Sequence, residues 1–574
     1  MTDETATRAG TGVSLDVIGG RYVSEFARLD PSAAVRFGVA TASGAMTDYS
    51  PESYEARADL ARETLRAAES AQAENNRDGV AQRAIMARLT SELELFEAGE
   101  WLRDLRAIGS PLGETREVFD LLPRATDEDW SDIVSRLRRV PSALAGYRRT
   151  LQLGIERDLV GSLGEAVVVA AQARAFSGTD GVGRGYCSRL ASDCESSNVA
   201  LSSSLEQAAQ AADAAFGELA NFLVDEYAGA VPERGGAGRE RYALWSSYLN
   251  GIELDLDETY EWGWADLRAV QGEMAELAAQ MGPGQSLAEV VADLGNDPGR
   301  VVVGVENLRR FLQETMDAAI GALDGRHFDI APPVRRVEAC IAPPGGAAAM
   351  YYTAPSDDFH RPGRTWYPTL GRERFPLWLE VTTAYHEGAP GHHLQLAQSC
   401  WLGERINPYL RSVGRVSGQI EGWAVYAERL MDELGLIEDP AYRLGMLACQ
   451  AFRSARVVTD LGLHLGLRVP SDYPDLAGER WDPAVALVVL QRAVARSEAF
   501  LRSEIERYLS WPAQAIGYKV GERVWRATRD QVRQRAGAGF DLRAFHSAAL
   551  ELGLVGLQQL QDELVGGLEG REEP

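Results

Sequence analysis

The sequence is short of cysteine, and what cysteine it has is scattered. Cys187, Cys194, Cys340, Cys400 and Cys449 make an odd number and form no CxxC pair. A disulfide framework and a cysteine-rich structural zinc site are thereby excluded, and reduced thiols are expected. No basic segment followed by an apolar run opens the chain, so no signal peptide is read, and the cytoplasm is the expected compartment. No stretch approaches about 18 consecutive apolar residues, which excludes a transmembrane helix. Positive charge is also in deficit. With 58 Lys and Arg against 84 Asp and Glu, the formal net charge is −26 and the pI is near 4.8. Such a surface cannot replace the counterions of a nucleic acid or dock on anionic lipid. Neither nucleic acid nor membrane is therefore an expected partner. The glycine-rich GVGRGY segment at 181–186 lacks the Lys-Ser/Thr that follows a phosphate loop, so a nucleotide site is not read there.

What the 574 residues do contain is globular. Apolar residues reach 45% and charged residues 25%, enough for a large core without staples. Segments such as RADLARETLRAAESAQAE, AIMARLTSELELFEAGEWLRDL and TYEWGWADLRAVQGEMAELAAQM repeat apolar residues three and four apart. They predict a mainly α protein. Residues 1–20 are polar and glycine-rich and are expected to be frayed. Residues 21–330 are read as an N-terminal helical lobe and 331–574 as a catalytic lobe. Within the latter, 331–370 is rich in Pro, Gly, Tyr and Val and predicts a small strand-rich segment beside the site.

Histidine is scarce, yet three of the seven fall within eight residues: His386, His392 and His393, in VTTAYHEGAPGHHLQLA. Glu387 directly follows His386, as the general base follows the first ligand in the zinc-protease motif H-E-x-x-H. That motif places its histidines about 40° apart on one helical face. Here position i+4 is Pro390. On an unbroken helix His392 would point about 240° away, and His393 would lie about 10.5 Å along the axis. Zn–N bonds are only about 2.0–2.1 Å long. Pro390 cannot donate to the carbonyl four residues back, and Gly388 and Gly391 permit unusual dihedrals. GAPG therefore predicts a break that absorbs two extra residues. The break could bring His392 onto a metal, with His393 as the alternative. A third ligand is sought in IEGWAVYAERLMDEL, where Glu421 and Glu428 are seven apart and share a helical face. Glu421 is the preferred ligand. Glu428 is the alternate, or a carboxylate that orients a ligand imidazole.

Together HEGAPGHHLQ and EGWAVYAE resemble the bacterial family called domain of unknown function 885, grouped with zinc metallopeptidases that share a helical catalytic core. The resemblance continues through AMYYTAPSDD, RPGRTWYP, DLGLH at 460–464, RYLSWPAQAIGYKVGE at 507–522 and FHSAALELGLVGLQQL. It implies one zinc ion per chain, held by His386, His392 and Glu421, with Glu387 as base. It further implies a large helical architecture with a deep cleft between lobes. The expected activity is metal-assisted hydrolysis of a short peptide or another small amide. Tyr508, Tyr518 and His464 are candidates for holding the oxyanion. Arg507 and Lys519 are candidates for a substrate carboxylate, and Tyr351 and Tyr352 for the cleft wall. No role is assigned to His327, His360 or His546.

Overall fold

The computed structural model describes residues 13–181, 183–232, 236–342, 350–356, 358–494 and 496–567. Among these residues the protein is mainly α-helical, with five short strands. The helices start and stop where local chemistry dictates. Leu256–Met281 is capped by the Asp255 carboxylate, which accepts from the Asp257 and Glu258 amides. Pro440–Leu465 begins with Asp439 accepting from the Ala441 amide and Pro440 in the first turn. It ends at Gly466, whose φ of 61° suits a residue without Cβ. These two long helices pack together, and a Cβ at Gly263 would come within 2.8 Å of Val457 Cγ1.

Helix Leu15–Leu29 begins inside the segment expected to be frayed, because Ser14 caps it and Leu15, Ile18 and Tyr22 bury its inner face. Residues 1–12 of that expectation lie outside the described residues.

Strands β1 (Val301–Val303), β2 (Val337–Ile341), β3 (Tyr351–Thr353), β4 (Gly363–Tyr367) and β5 (Arg374–Pro376) form two sheets. One pairs β1 with β5 antiparallel, Val301 opposite Pro376. The other has order β2-β4-β3, with β2 parallel to β4 and β3 antiparallel to it. The 331–370 expectation covers β2 to β4. It misses β1 and β5, which pair across some 70 residues and are too short to show an alternating pattern.

Buried apolar residues form two clusters, and their division does not follow residue 330. A smaller cluster, from Tyr49 to Tyr227, is centred on helix Val199–Asp225. A larger one joins residues 22–95 to residues 242–565. At their junction lies a cavity of about 320 Å³, with walls from both sides. No helix among the described residues is long and apolar enough to cross a membrane.

Candidate metal centre

The central helix Ser417–Glu433 buries residues on nearly every side, among them Trp423, Ala424, Tyr426 and Leu430. It crosses helix Gly517–Ala536 backbone to backbone. A Cβ on Gly422 would fall onto Gly521 Cα, and one on Gly521 would lie 2.6 Å from Gly422 Cα. This contact explains a glycine in mid-helix, beside Glu421, where propensity disfavours one.

Helix Glu380–Glu387 ends at the motif, and a new helix, His392–Leu402, starts five residues later. The intervening Gly388–Gly391 turn, which contains a cis Ala389–Pro390 bond, is the expected break. Two amides close it: Gly391 N–H donates to the Tyr385 carbonyl (3.0 Å) and His393 N–H to that of Gly388 (3.1 Å). Both glycines are sterically required. A Cβ at Gly391 would collide with the His386 carbonyl oxygen, and one at Gly388 would sit 2.6 Å from the Ala384 oxygen. The Trp423 indole N–H reaches across to the Pro390 (2.9 Å) and Gly391 (3.1 Å) carbonyls. It thereby fastens the break to the helix that carries Glu421.

The break turns His392 back toward His386. Their ring centroids are 4.7 Å apart at 76°. Glu421 Oε2 lies 3.5 Å from His386 Nε2 and 3.4 Å from His392 Nε2, and the three ligand atoms fall within 4.8 Å of one another. The alternates are placed elsewhere. His393 points the other way, with Nε2 2.7 Å from the Val334 carbonyl and Nδ1 3.0 Å from the Tyr352 hydroxyl. Glu428, fully buried, accepts from His386 Nδ1 (2.7 Å), the Thr382 hydroxyl (2.9 Å) and Arg453 Nη1 (2.8 Å). By accepting the Nδ1–H hydrogen bond, Glu428 leaves the Nε2 lone pair of His386 for a cation.

The electrostatics match. Burial and Arg453 push the His386 pKa down, but hydrogen bonds to Glu421 and Glu428 outweigh them and bring it to about 9. Burial alone would raise Glu421, yet His392 and His386 hold its carboxyl well below the usual range. Burial raises the Glu387 carboxyl, with the two histidines tempering it. Three carboxylates thus crowd two imidazoles, an arrangement that favours positive charge at its centre. Two buried polar atoms here, Glu387 Oε2 and His392 Nδ1, have no hydrogen-bond partner among the described residues. Such orphans cost about 1–3 kcal/mol each and are rare unless a further group binds. The donor set, two imidazoles and one carboxylate with a second carboxylate behind, fits a zinc-like divalent cation.

The outer candidates separate. Tyr518 is part-buried, carries the Arg456 guanidinium 4.9 Å over its ring, and is close enough to Glu421 for that carboxylate to raise its pKa along with burial. Tyr508 is not available: it is buried, donates to Glu504 (2.9 Å) and accepts from Arg456 (3.2 Å). His464 is not available either. Nδ1 accepts the Ala237 amide (3.1 Å), Nε2 donates to the Tyr508 carbonyl (2.9 Å), and burial lowers its pKa to about 4. Asp460, one helical turn earlier, lies 3.9 Å from its Nε2 and accepts from the Tyr242 hydroxyl (2.6 Å) and the Ala513 amide (3.0 Å). Arg507 is consumed by Glu504 and Gln514. Lys519, the only lysine in the chain, is buried against Glu522, Gln450 (2.8 Å) and Asp266 (3.1 Å). Neither is free for a substrate carboxylate. Tyr352 touches the site through His393, while Tyr351 stacks on Trp366 at 5.9 Å. The cavity at the junction of the two clusters is lined by other residues, not by His386, His392 or Glu421.

Sequence reasoning missed Thr382 and Arg453. Thr382 stands four residues before His386 on the same helical face, a readable spacing. Arg453 comes from the Pro440–Leu465 helix, where no local pattern marks it.

A family model described as bacterial protein of unknown function (DUF885) matches residues 31–564. Two solved structures share the fold. One, from Colwellia psychrerythraea and provisionally described as a lipoprotein, has a TM-score of 0.82 at 22% identity, covering 97% of this chain and 100% of that one. The other, from Shewanella oneidensis, is provisionally described as a lipoprotein of unknown function. It has a TM-score of 0.71 at 16% identity, covering 96% and 100%. No protein of curated function matches the sequence.

Proposed function

The chain belongs to the DUF885 family, and from that premise and the centre just described we propose that it is a zinc-dependent hydrolase of the peptidase type, acting on short peptides or another small amide. One observation carries the reading: His386, His392 and Glu421 converge while the buried Glu387 beside them keeps an oxygen without a partner among the described residues. Zinc bound by these three residues would supply Lewis acidity, polarising a carbonyl and lowering the pKa of water toward about 7.

The remaining steps belong to the protein. Glu387 receives the proton of the attacking water, and its raised pKa suits a base that must later release that proton to the leaving amine. Glu428 and Arg453 fix the His386 ring and tautomer. Of the three candidates for the oxyanion, the Tyr518 hydroxyl is the one not already committed to Glu504 or to backbone groups. Burial of both histidines favours small substrates over folded proteins and keeps bulk water from the reaction. We place the enzyme in the cytoplasm, a reading supported by five cysteines without a disulfide.

The test joins metal content to turnover. Protein purified without chelator should carry one zinc per chain by elemental analysis and should cleave members of a short-peptide library. Glu387→Gln should keep the metal and lose at least about 10³-fold in kcat, within the range of general-base loss. A metal-free protein that is fully active would end the proposal. Full metal with no cleavage of any peptide or small amide would instead favour a binding protein.

A further inference from the structure

The junction cavity holds charges that the rest of the molecule does not explain. The chain has 84 acidic residues against 58 basic ones, so carboxylate partners are in excess. Yet three arginines on the cavity wall, Arg57, Arg88 and Arg415, form no ion pair with any described residue. Each guanidinium lies over an aromatic ring instead: Arg57 over Tyr54 at 4.3 Å, Arg88 over Tyr248 at 3.6 Å, Arg415 over Phe37 at 4.9 Å. Stacking holds a guanidinium flat and leaves its edge N–H groups available for a bidentate acceptor. Their protein hydrogen bonds are few. Arg57 reaches the Asp48 carbonyl and the Ser53 hydroxyl, Arg88 the Tyr248 carbonyl, and Arg415 the Ser412 carbonyl. Two carboxylates on the same wall are likewise without an ion pair among the described residues: Glu92, whose pKa burial raises against the pull of Arg88 and Arg57, and Asp30, which accepts from the Ala33 amide and the Thr47 hydroxyl. The groups without an ion pair therefore sum to one excess positive charge, on a wall whose five arginines and five carboxylates balance as a whole. Part-buried charge left unmatched is costly, and an incoming anion relieves the cost. A volume of about 320 Å³ is at the lower end for small-molecule sites.

The cavity also has a physical link to the metal centre. Arg415 stands two residues before helix Ser417–Glu433, which carries Glu421.

We propose that this cavity binds a carboxylate attached to an aromatic or bulky apolar group, through Arg57, Arg88 and Arg415, as the C-terminal end of a peptide would present it. The assignment to a peptide end rests on the hydrolase reading; the carboxylate site does not. Arg507 and Lys519, which sequence alone offered for this task, are already paired, so the role moves to a different wall of the molecule.

The probe is 3-phenylpropanoate, which has the ring and the carboxylate but no bond to hydrolyse. Its controls are 3-phenylpropanol, without the charge, and propanoate, without the ring. Titration calorimetry on the full zinc-loaded chain should show the acid binding at least tenfold tighter than either control. Arg88→Gln and Arg415→Gln should each weaken the acid at least fivefold and leave zinc content unchanged, which separates this site from binding on the metal. Equal affinity for the acid and the alcohol, or unchanged affinity in both variants, would overturn the proposal. If a variant fails to fold, the salt dependence of the unmodified protein decides the matter. Affinity for the acid should fall severalfold between 50 and 500 mM NaCl, and a flat response would overturn it. Intact acid binding in a protein without metal or turnover would sink the hydrolase reading alone. Lost acid binding with metal and turnover intact would sink this one alone.

Discussion

At the scale of single residues, the centre depends on a carboxylate that does not touch the metal position. Glu428 is buried and takes three donors, so removing its charge leaves Arg453 unmatched and frees the His386 ring. Glu428→Gln should weaken zinc about 10–100-fold, the usual effect of losing a ligand's orienting partner. Competition with a fluorescent chelator checks this, and unchanged affinity would show that Glu428 is only packing. His546, to which the sequence assigned nothing, has a structural role. It stacks on Phe328 at 4.5 Å and lies 2.8 Å from the Tyr426 hydroxyl. Burial lowers its pKa to about 3, against about 6.5 in an unfolded chain. The unfolded chain therefore takes the proton first. The His546 contribution is intact above about pH 6.5 and is lost as pH falls toward 3. Relative to His546→Gln, the natural protein should lose about 2–3 kcal/mol between pH 6.5 and 4.5, at about 1.4 kcal/mol per pH unit. Urea denaturation across that range measures it, and parallel curves would refute it. Much of the site was legible at this scale because GAPG is a strong local signal, and Glu421 and Glu428 sit at helical spacing. Tyr508 and Tyr518 were not separable. They are ten residues apart with similar neighbours, and only long-range packing decides that one meets Glu504 while the other comes near Glu421.

Among the elements, the crossing of helices Ser417–Glu433 and Gly517–Ala536 sets where Glu421 can be. Because Gly422 and Gly521 meet through backbone atoms, no side chain can give way. Gly422→Ala should therefore force the helices apart despite its better helix propensity, costing about 1–3 kcal/mol, as overpacked contacts do. It should also weaken zinc severalfold, because Glu421 is the adjacent residue. A thermal melt with a zinc titration tests both, and a variant as stable and as tight as the parent would show that the crossing is not a constraint. In the sequence Gly422 was legible as an oddity, since glycine suits neither a helix interior nor a solvated face. Its partner was not legible, because Gly521 lies 99 residues further on. The strands show the same limit. Three residues carry too little alternation to announce a pairing such as β1 with β5.

Over the whole molecule, helical periodicity made the fold class readable, whereas the path of the chain through two cores was not. Helices near residues 51–97 fold back onto partners beyond 242, and no local pattern encodes that return. One property of this packing reaches into how the protein can be handled. Its single lysine, Lys519, is 1% exposed and enclosed by Asp266, Gln450 and Glu522. The folded surface therefore offers amine-directed chemistry no lysine at all. An acylating reagent such as an N-hydroxysuccinimide ester should leave Lys519 unmodified while the core is closed, and should label it only on opening. Intact-mass spectra against denaturant concentration would turn that residue into a counter of unfolding events.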